Sequence, residues 1–310
     1  MTHENQQKRP SAGVDRRDLI ATAAGAGVFA SGLSLAGSTL AQDNSGAATA
    51  AAPGRVVVER RAGVLLVGMD RPHGQNRFDP AMIIGVGKAY YQLEHDDGLQ
   101  VAVLHSLGPD FCNGLDVPAY VAAQASGVLP PKDPEFINPL GLRPPYRTKP
   151  VVVAVQGRAM SVGDELVMSA DIRVASRDAV FGQLEVTHGV FPGGGATLRL
   201  TREAGWGNAM YHMLTGEEWD ATEAHRLGLV QAITGPGKQL ERAIEIATKI
   251  AAAAPLGVRA TLASAHQALA GEEAALLAIA PAFAKILQSE DAREALRAQA
   301  DHRSPVYRGQ

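Results

Sequence analysis

The sequence contains little cysteine, few aromatic residues and no large excess of charge of either sign. The one cysteine among its 310 residues, Cys112, excludes an internal disulfide framework and a cysteine-rich metal site. Aromatic residues make up 5 %, a fraction that favours close packing of helices on sheets over stacked aromatic recognition surfaces. The formal net charge is −3 without a basic stripe, so nucleic acid is not an expected partner.

The residues that are present indicate a globular chain. Hydrophobic residues make up 46 % and charged residues 20 %, which is enough apolar material for a core and excludes a disordered tail. The length corresponds to two average domains or to one large α/β domain. No segment is strongly apolar over the roughly 20 residues that a stable membrane span needs, which excludes a multi-span membrane protein.

The first 41 residues differ in composition from the rest and predict a signal peptide. Arg16 and Arg17 precede an uncharged, weakly apolar stretch at 19–42, which ends with small residues at Thr39 and Ala41. The adjacent arginines resemble those of twin-arginine signals, which export folded proteins. We therefore expect export to the periplasm, with residues 42–54 as a flexible linker. A cytoplasmic protein with a functionless leader is the alternative.

Short strands alternate with longer helices from residue 55 onward. Apolar β-branched runs at 55–59 and 63–69 predict a hairpin, and Asp79 is placed to cap a helix over 79–93. Further strands are predicted at 100–105, 151–156, 172–175 and 179–182, with a helix at 163–170. Nearly all residues from 195 onward are expected to be helical, at 238–253, 255–270, 272–288 and 291–301. Residues 55–310 thus predict one α/β domain with a helical C-terminal segment from about 236.

The segment 108–150 is rich in proline and shows little periodicity. A connection of this length is uncommon as a passive loop, so we interpret it as a binding segment.

Two glycine-containing turns each follow a predicted strand. The first is FCNGLD at 111–116, and the second is QGRAMSVGDE at 156–165, which runs into a helix. Free amide groups and the helix dipole favour negative charge at a helix N-terminus. Two such amides converging would form an oxyanion hole, usually the largest single catalytic contribution in carbonyl chemistry.

A series of short blocks accompanies these turns. The blocks are GVLLVGMDRP at 63–72, KPVVVAVQG at 149–157, ADIR at 170–173, FGQLE at 181–185, GVFPGGG at 189–195, LTG at 214–216 and AHRLGLV at 224–230. In this order and spacing they resemble the crotonase (enoyl-CoA hydratase/isomerase) superfamily over roughly residues 55–300. The resemblance implies an α/β crotonase (ClpP-like) fold, in which repeated ββα units form a superhelical spiral that precedes a C-terminal helical region.

The resemblance implies roles for four residues. The backbone amides of Leu115 and Val162 match the pair that holds the thioester oxygen of an acyl-CoA as it becomes enolate-like. Glu165 and Glu185 match the two glutamates that position a water, deliver its oxygen to the β-carbon and deliver a proton to the α-carbon. The chemistry agrees, because hydration needs one base and one acid, and two carboxyls in one apolar pocket can split their pKa values.

Contacts with a CoA-linked substrate are implied for a larger set of residues. This set is His73, Gly74, Gln75, Asn113, Gly114, Asp116, Gly163, His188, Pro192 and Gly193. His188 is expected either to line the pocket or to lie on the surface. The chain departs from the family at 161–163, where Ser-Val-Gly replaces three glycines and Val162 crowds the acyl site.

Two other residues near these positions are given structural roles. Asp164 is expected to be a solvated or capping carboxylate, and Cys112 is expected to be a buried small residue.

The leading functional hypothesis is an enoyl-CoA hydratase-like lyase. An isomerase, or a hydrolase of C–C bonds in a CoA-free diketone, is the alternative within enzymes, and an exported, non-catalytic binding protein is the alternative outside them. Since CoA thioesters are cytoplasmic metabolites, an exported chain would favour the CoA-free or non-catalytic hypotheses. The resemblance implies an acyl-CoA substrate, no cofactor besides its CoA, no metal, and assembly as a homotrimer or a dimer of trimers.

Overall fold

The computed structural model describes residues 52–270, 281, 285–286 and 288–310. The predicted signal peptide, most of the predicted linker and most of the predicted helix at 272–288 lie outside these residues.

The described residues form an α/β structure, which confirms the predicted class. The strands are β1 (Arg55–Arg61), β2 (Val64–Asp70), β3 (Val101–Ser106), β4 (Cys112–Asn113), β5 (Val151–Val155), β6 (Arg158–Met160), β7 (Ile172–Ser176), β8 (Val180–Gly182), β9 (Trp219–Asp220) and β10 (Ala232–Thr234). The helices are α1 (Pro80–His95), α2 (Val117–Ala125), α3 (Val162–Ser169), α4 (Ala196–Glu203), α5 (Trp206–Thr215), α6 (Ala221–Arg226), α7 (Gln239–Ala251), α8 (Pro255–Ala270) and α9 (Glu290–Ala300).

The strands form two sheets. The larger sheet has the order β1-β2-β3-β5-β7-β10, in which β1 pairs antiparallel with β2 and the other pairs are parallel. The smaller sheet has the order β4-β6-β8-β9, with β9 antiparallel to β8. A long strand of the first sheet is followed by a short strand of the second and then by a helix, as in β5, β6 and α3. The predicted hairpin and the ββα units are confirmed.

The larger sheet is covered on both faces, and this explains its continuous apolar strands. One face packs against α7, where Ala243 and Ala247 join Val103 and Val152 in a buried cluster. The opposite face packs against α1 and the site-bearing elements in the main core. Helix α1 begins as predicted, because the Asp79 carboxylate accepts a hydrogen bond from the Met82 amide at 2.8 Å.

Two expectations about secondary structure are wrong or incomplete. The proline-rich segment contains helix α2, which Asp116 caps through the Ala119 amide and which has Pro118 in its first turn. The region after residue 195 also contains β9 and β10, and β10 completes the larger sheet beside β7.

The helices of the described residues were compared with the length and composition of a membrane span. No single described helix is long and apolar enough to cross a membrane, and only α7 and α8 taken together, with a bend of 107° between them, meet the criteria of length and composition.

Candidate active site

The two glycine-containing turns lie side by side because the short strands before them pair. Strand β4 is parallel to β6, with Asn113 opposite Met160. A Cβ atom on Gly114 would lie 3.8 Å from the Ser161 Cβ, and one on Gly163 would lie 2.5 Å from the Cys112 carbonyl oxygen. The backbones therefore approach so closely that Gly163 cannot carry a side chain without displacing its neighbour.

Two backbone amides at these turns are available to a ligand. Around Leu115, the Phe78 amide donates to the Gly114 carbonyl at 2.8 Å and the Asp116 amide donates to the Phe78 carbonyl at 3.2 Å. The amides of Leu115 and Val162 themselves have no acceptor within the described part of the chain. Val162 is the first residue of α3, so the positive end of the helix dipole adds to its amide. Such donors stabilise a developing oxyanion.

Glu165 is held inside the protein by backbone amides from a separate loop. Its Oε1 accepts hydrogen bonds from Gly194 at 2.6 Å and from Ala196 at 3.1 Å, and the residue is 2 % exposed. Burial raises the pKa of the Glu165 carboxyl, while these amides and the positive charge of Arg199 oppose the shift. The bonds orient the carboxylate and favour its ionised form.

Glu185 lies at the start of a short 3₁₀ turn, Glu185–His188, that follows β8. Burial raises the pKa of Glu185 to about 7, and the nearby Glu165 adds to the shift while a hydrogen bond from Ser161 opposes it. Its Oε2 atom is buried and has no hydrogen-bond partner among the described residues. A carboxyl group in this state can gain or lose a proton near neutral pH.

Asp164 is a third buried carboxyl, and the expectation that it is solvated or capping is wrong. It is 3 % exposed and accepts a hydrogen bond from Gln183 at 2.6 Å. Burial raises the pKa of Asp164 to about 8. In helix α3 the Glu165 side chain lies toward the Gly194 loop, and the adjacent Asp164 side chain lies toward the end of β8. The sequence pattern alone did not reveal this arrangement.

Comparison with known proteins identifies the family. The enoyl-CoA hydratase/isomerase family matches residues 59–310. The chain belongs to this family. It is 33 % identical to the enoyl-CoA hydratase EchA19 of Mycobacterium tuberculosis over 260 residues, which are 81 % of this chain and 95 % of that protein. It is 31 % identical to the short-chain-enoyl-CoA hydratase of Clostridium acetobutylicum over 250 residues, 78 % of this chain and 93 % of the other.

Solved structures of this family share the fold. A probable enoyl-CoA hydratase/isomerase from Mycobacterium abscessus superposes with a TM-score of 0.79 at 39 % identity, covering 82 % of this chain and 98 % of that one. An enoyl-CoA hydratase from Mycobacterium tuberculosis H37Rv gives a TM-score of 0.75 at 36 % identity, covering 83 % and 99 %.

The residues predicted to contact the CoA portion fall into one group at the first turn. His73 and Gln75 are exposed, and Gly74 lies with them in a tight turn. The Asn113 amide donates to the Gln75 carbonyl at 3.3 Å, which joins this turn to the end of β4. The Asn113 side chain also accepts from Arg158 at 3.2 Å, a cation at this surface that sequence reasoning missed.

Asp116 lies in the same region but has structural contacts. Besides capping α2, its carboxylate forms an ion pair with Arg71 at 2.8 Å, and Arg71 also faces Asp79 at 3.4 Å. One buried arginine thereby connects the N-termini of α1 and α2, and it fixes the turn that carries Leu115.

The remaining predicted residues lie around the two glutamates. Pro192 is buried and Gly193 half-buried, immediately before the Gly194 amide that binds Glu165. His188 is exposed, and its Nδ1 lies 2.9 Å from the Leu184 carbonyl oxygen. Cys112 is fully buried, which confirms its prediction.

Arg199 is a residue of the site that the sequence did not indicate. Its Nη1 donates to the Gly194 carbonyl at 3.0 Å, so it supports the loop whose amides hold Glu165. Within the described residues, no group of three or more histidine, cysteine, aspartate or glutamate side chains could hold a metal ion.

Proposed function

We propose that this protein is a hydratase that adds water across the double bond of a 2-enoyl-CoA thioester. The observation that carries the proposal is that two buried glutamates beside two available amides differ in their hydrogen bonding. Glu165 is bound by two backbone donors, whereas one oxygen of Glu185 has no partner. The two amides that bind Glu165 favour its ionised form, which suits a base, and burial raises the pKa of Glu185 to about 7, which suits an acid near neutral pH.

The proposed mechanism uses each group once. The amides of Leu115 and Val162 bind the thioester oxygen and stabilise the enolate that forms when the β-carbon is attacked. Glu165, as a carboxylate, takes a proton from water while the water oxygen bonds to the β-carbon. Glu185, in its protonated form, gives a proton to the α-carbon. One water is added in total, and proton exchange between the two carboxyls and solvent restores the starting state.

The surface formed by His73, Gln75 and Asn113 is the proposed binding region for the CoA portion. It borders the first oxyanion turn, because Gly114 and Leu115 follow Asn113 directly. Gly114, Gly163, Pro192 and Gly193 would then shape the acyl side of the pocket by allowing close backbone approach.

The test is hydration of crotonyl-CoA, followed as loss of the enoyl-thioester absorbance. We expect Glu165→Gln and Glu185→Gln each to lower kcat by about 10²–10⁴-fold, the usual contribution of a general acid or base. Glu245→Gln, at an exposed ion pair on α7, is the matched control and should retain wild-type turnover. Wild-type turnover equal to that of the double variant Glu165→Gln/Glu185→Gln would refute the proposal.

Glu165 distinguishes hydration from isomerisation. An isomerase needs one group that moves a proton between two carbons, and Glu185 alone could serve. A base anchored against a second loop is required only when water must be activated. Formation of a shifted double bond without hydroxyacyl product would favour the isomerase, and turnover of a CoA-free diketone would favour the hydrolase.

We propose, separately, that residues 1–41 direct export of the folded protein. The support is the arginine pair before a weakly apolar, uncharged stretch. Mass spectrometry of the N-terminus in periplasmic and cytoplasmic fractions tests this, because an intact Met1 confined to the cytoplasm would contradict export.

We also propose assembly as a homotrimer or a dimer of trimers. Helices α4 and α5 expose large apolar side chains, among them Trp206 at 71 % and Leu214 at 66 % exposure. Large apolar side chains exposed together on neighbouring helices are typical of subunit interfaces. Light scattering after size exclusion should give three or six times the chain mass, and a monomer would contradict the proposal.

A further inference from the structure

Ser161 occupies a backbone conformation that serine rarely adopts. It lies between β6 and α3 with φ 52° and ψ −119°, in a region that favours glycine. Residues held in such conformations cluster at active sites, where the surrounding structure enforces them.

The Ser161 side chain does not perform the structural task that its position suggests. Serine at a helix N-cap normally accepts a hydrogen bond from an amide of the first turn. Ser289 does so at the start of α9, where its hydroxyl accepts from the Ala292 amide at 3.1 Å. Ser161 stands at the N-cap of α3 and makes no such bond. Helix capping therefore does not explain this hydroxyl.

Ser161 lies beside the segment that carries Glu185, because its amide donates to the Gly182 carbonyl at 2.7 Å and Glu185 follows Gly182 by three residues. A hydrogen bond from the Ser161 hydroxyl lowers the pKa of Glu185, against the effect of burial. The Oε2 atom of Glu185 is buried and has no partner among the described residues. A hydroxyl group paired with a buried carboxylate is the arrangement of a nucleophile with its general base.

The residues around Ser161 match the geometry of a nucleophile turn. Small residues flank it at two positions, with fully buried Ala159 on one side and Gly163 on the other. The pattern small-x-Ser-x-Gly at a sharp strand-to-helix turn exposes a serine hydroxyl, and the amide of the following residue contributes to the oxyanion hole. Here that following amide belongs to Val162.

We propose that Ser161 is a nucleophile that gives this site a second activity, the hydrolysis of acyl thioesters through an acyl-serine intermediate with Glu185 as general base. This activity goes beyond hydration, but it rests on the same oxyanion amides that the proposed function uses. It requires no double bond in the substrate, so saturated acyl thioesters are substrates for it.

The steps balance without a further reagent. The Ser161 oxygen bonds to the thioester carbonyl carbon while Glu185 takes the hydroxyl proton, and the amides of Leu115 and Val162 hold the oxyanion. The carbon–sulfur bond breaks, and Glu185 returns the proton to the leaving thiolate. Water then attacks the serine ester, Glu185 takes the water proton and returns it to the Ser161 oxygen, and the carboxylic acid is released.

The test uses butyryl-CoA, a saturated thioester that cannot be hydrated, and measures thiol release with the purified full-length protein. We expect wild type to release thiol and Ser161→Ala to lose at least about 10²-fold of this rate. Ser161→Gly, which suits the φ angle, is expected to lose it equally, and its unfolding curve shows whether the fold is retained. Ser304→Ala, an exposed serine near the C-terminus, is the matched control and should release thiol like wild type.

A covalent readout identifies the nucleophile. Mass spectrometry of acid-quenched protein should show one butyryl group, located on Ser161 after digestion. Equal thiol release by wild type and Ser161→Ala, a butyryl group on another residue, or no release above the enzyme-free rate would each overturn the inference. Hydration of crotonyl-CoA is measured separately, so loss of hydration with persisting thiol release contradicts the proposed function alone.

Discussion

Gly194 provides a sharp test of how the position of Glu165 determines the rate of hydration. A Cβ atom at residue 194 would lie 2.2 Å from Glu165 Oε2, whereas ordinary contact begins at 3.4 Å. In Gly194→Ala the carboxylate has to move by about 1 Å, a displacement that costs about 10²-fold in rate at a catalytic group. Extra atoms in a packed interior also destabilise by about 1–3 kcal/mol. Gly194 has no left-handed backbone, so steric contact alone produces the effect.

The assay combines crotonyl-CoA hydration with urea unfolding. We expect kcat to fall about 10²-fold and the free energy of unfolding to fall by about 1–3 kcal/mol. Gly207→Ala is the control, because a Cβ there meets nothing within 4 Å in helix α5. That variant should keep wild-type kcat and gain up to about 1 kcal/mol from helix propensity. Wild-type kcat in Gly194→Ala would refute the view that this loop positions the base.

Three further predictions concern the pH profile, a buried cation and the thiol. Hydration needs protonated Glu185, and burial, with a smaller effect of Glu165, raises the pKa of this carboxyl to about 7. We therefore expect kcat/KM to fall as pH rises through about 7, and the residual activity of Glu185→Gln should lack this decline. Arg173 is 5 % exposed and donates to four backbone carbonyls. We expect Arg173→Lys to lower the free energy of unfolding, measured by urea titration, by about 2–3 kcal/mol. An unchanged urea midpoint would contradict this. Burial raises the pKa of the Cys112 thiol to about 12. A disulfide reagent should therefore label this thiol only after unfolding. Rapid labelling of the native protein would contradict its burial.

Local rules predicted the elements whose signals were strong. The hairpin and the Asp79 cap follow from β-branched runs and capping chemistry. Helix α2 was missed because prolines concealed its start, although Asp116 followed closely by Pro118 is itself a helix-start signal. Strand β10 has three residues and exists because β7 offers it a partner, which no local pattern records.

The candidate site was predicted in part. The two glutamates and two amides came from resemblance to a family, and neither burial nor hydrogen bonding could be read from their spacing. Asp164 was misjudged because which side of α3 meets β8 depends on tertiary packing. The positive φ of Ser161 results from the close approach of β6 to β4 and β8, where the Ser161 amide donates to the Gly182 carbonyl at 2.7 Å.

The division of the site between two segments has a consequence for how its chemistry can change. Helix α3 and its N-cap carry Ser161, Val162 and Glu165 within five residues, so these groups move as one rigid unit. Glu185 belongs to a separate 3₁₀ turn after β8. Substitution there alters the fate of the bound acyl group while leaving the oxyanion donors in place. Divergence toward a new reaction, by selection or by engineering, therefore has its simplest starting point at residue 185.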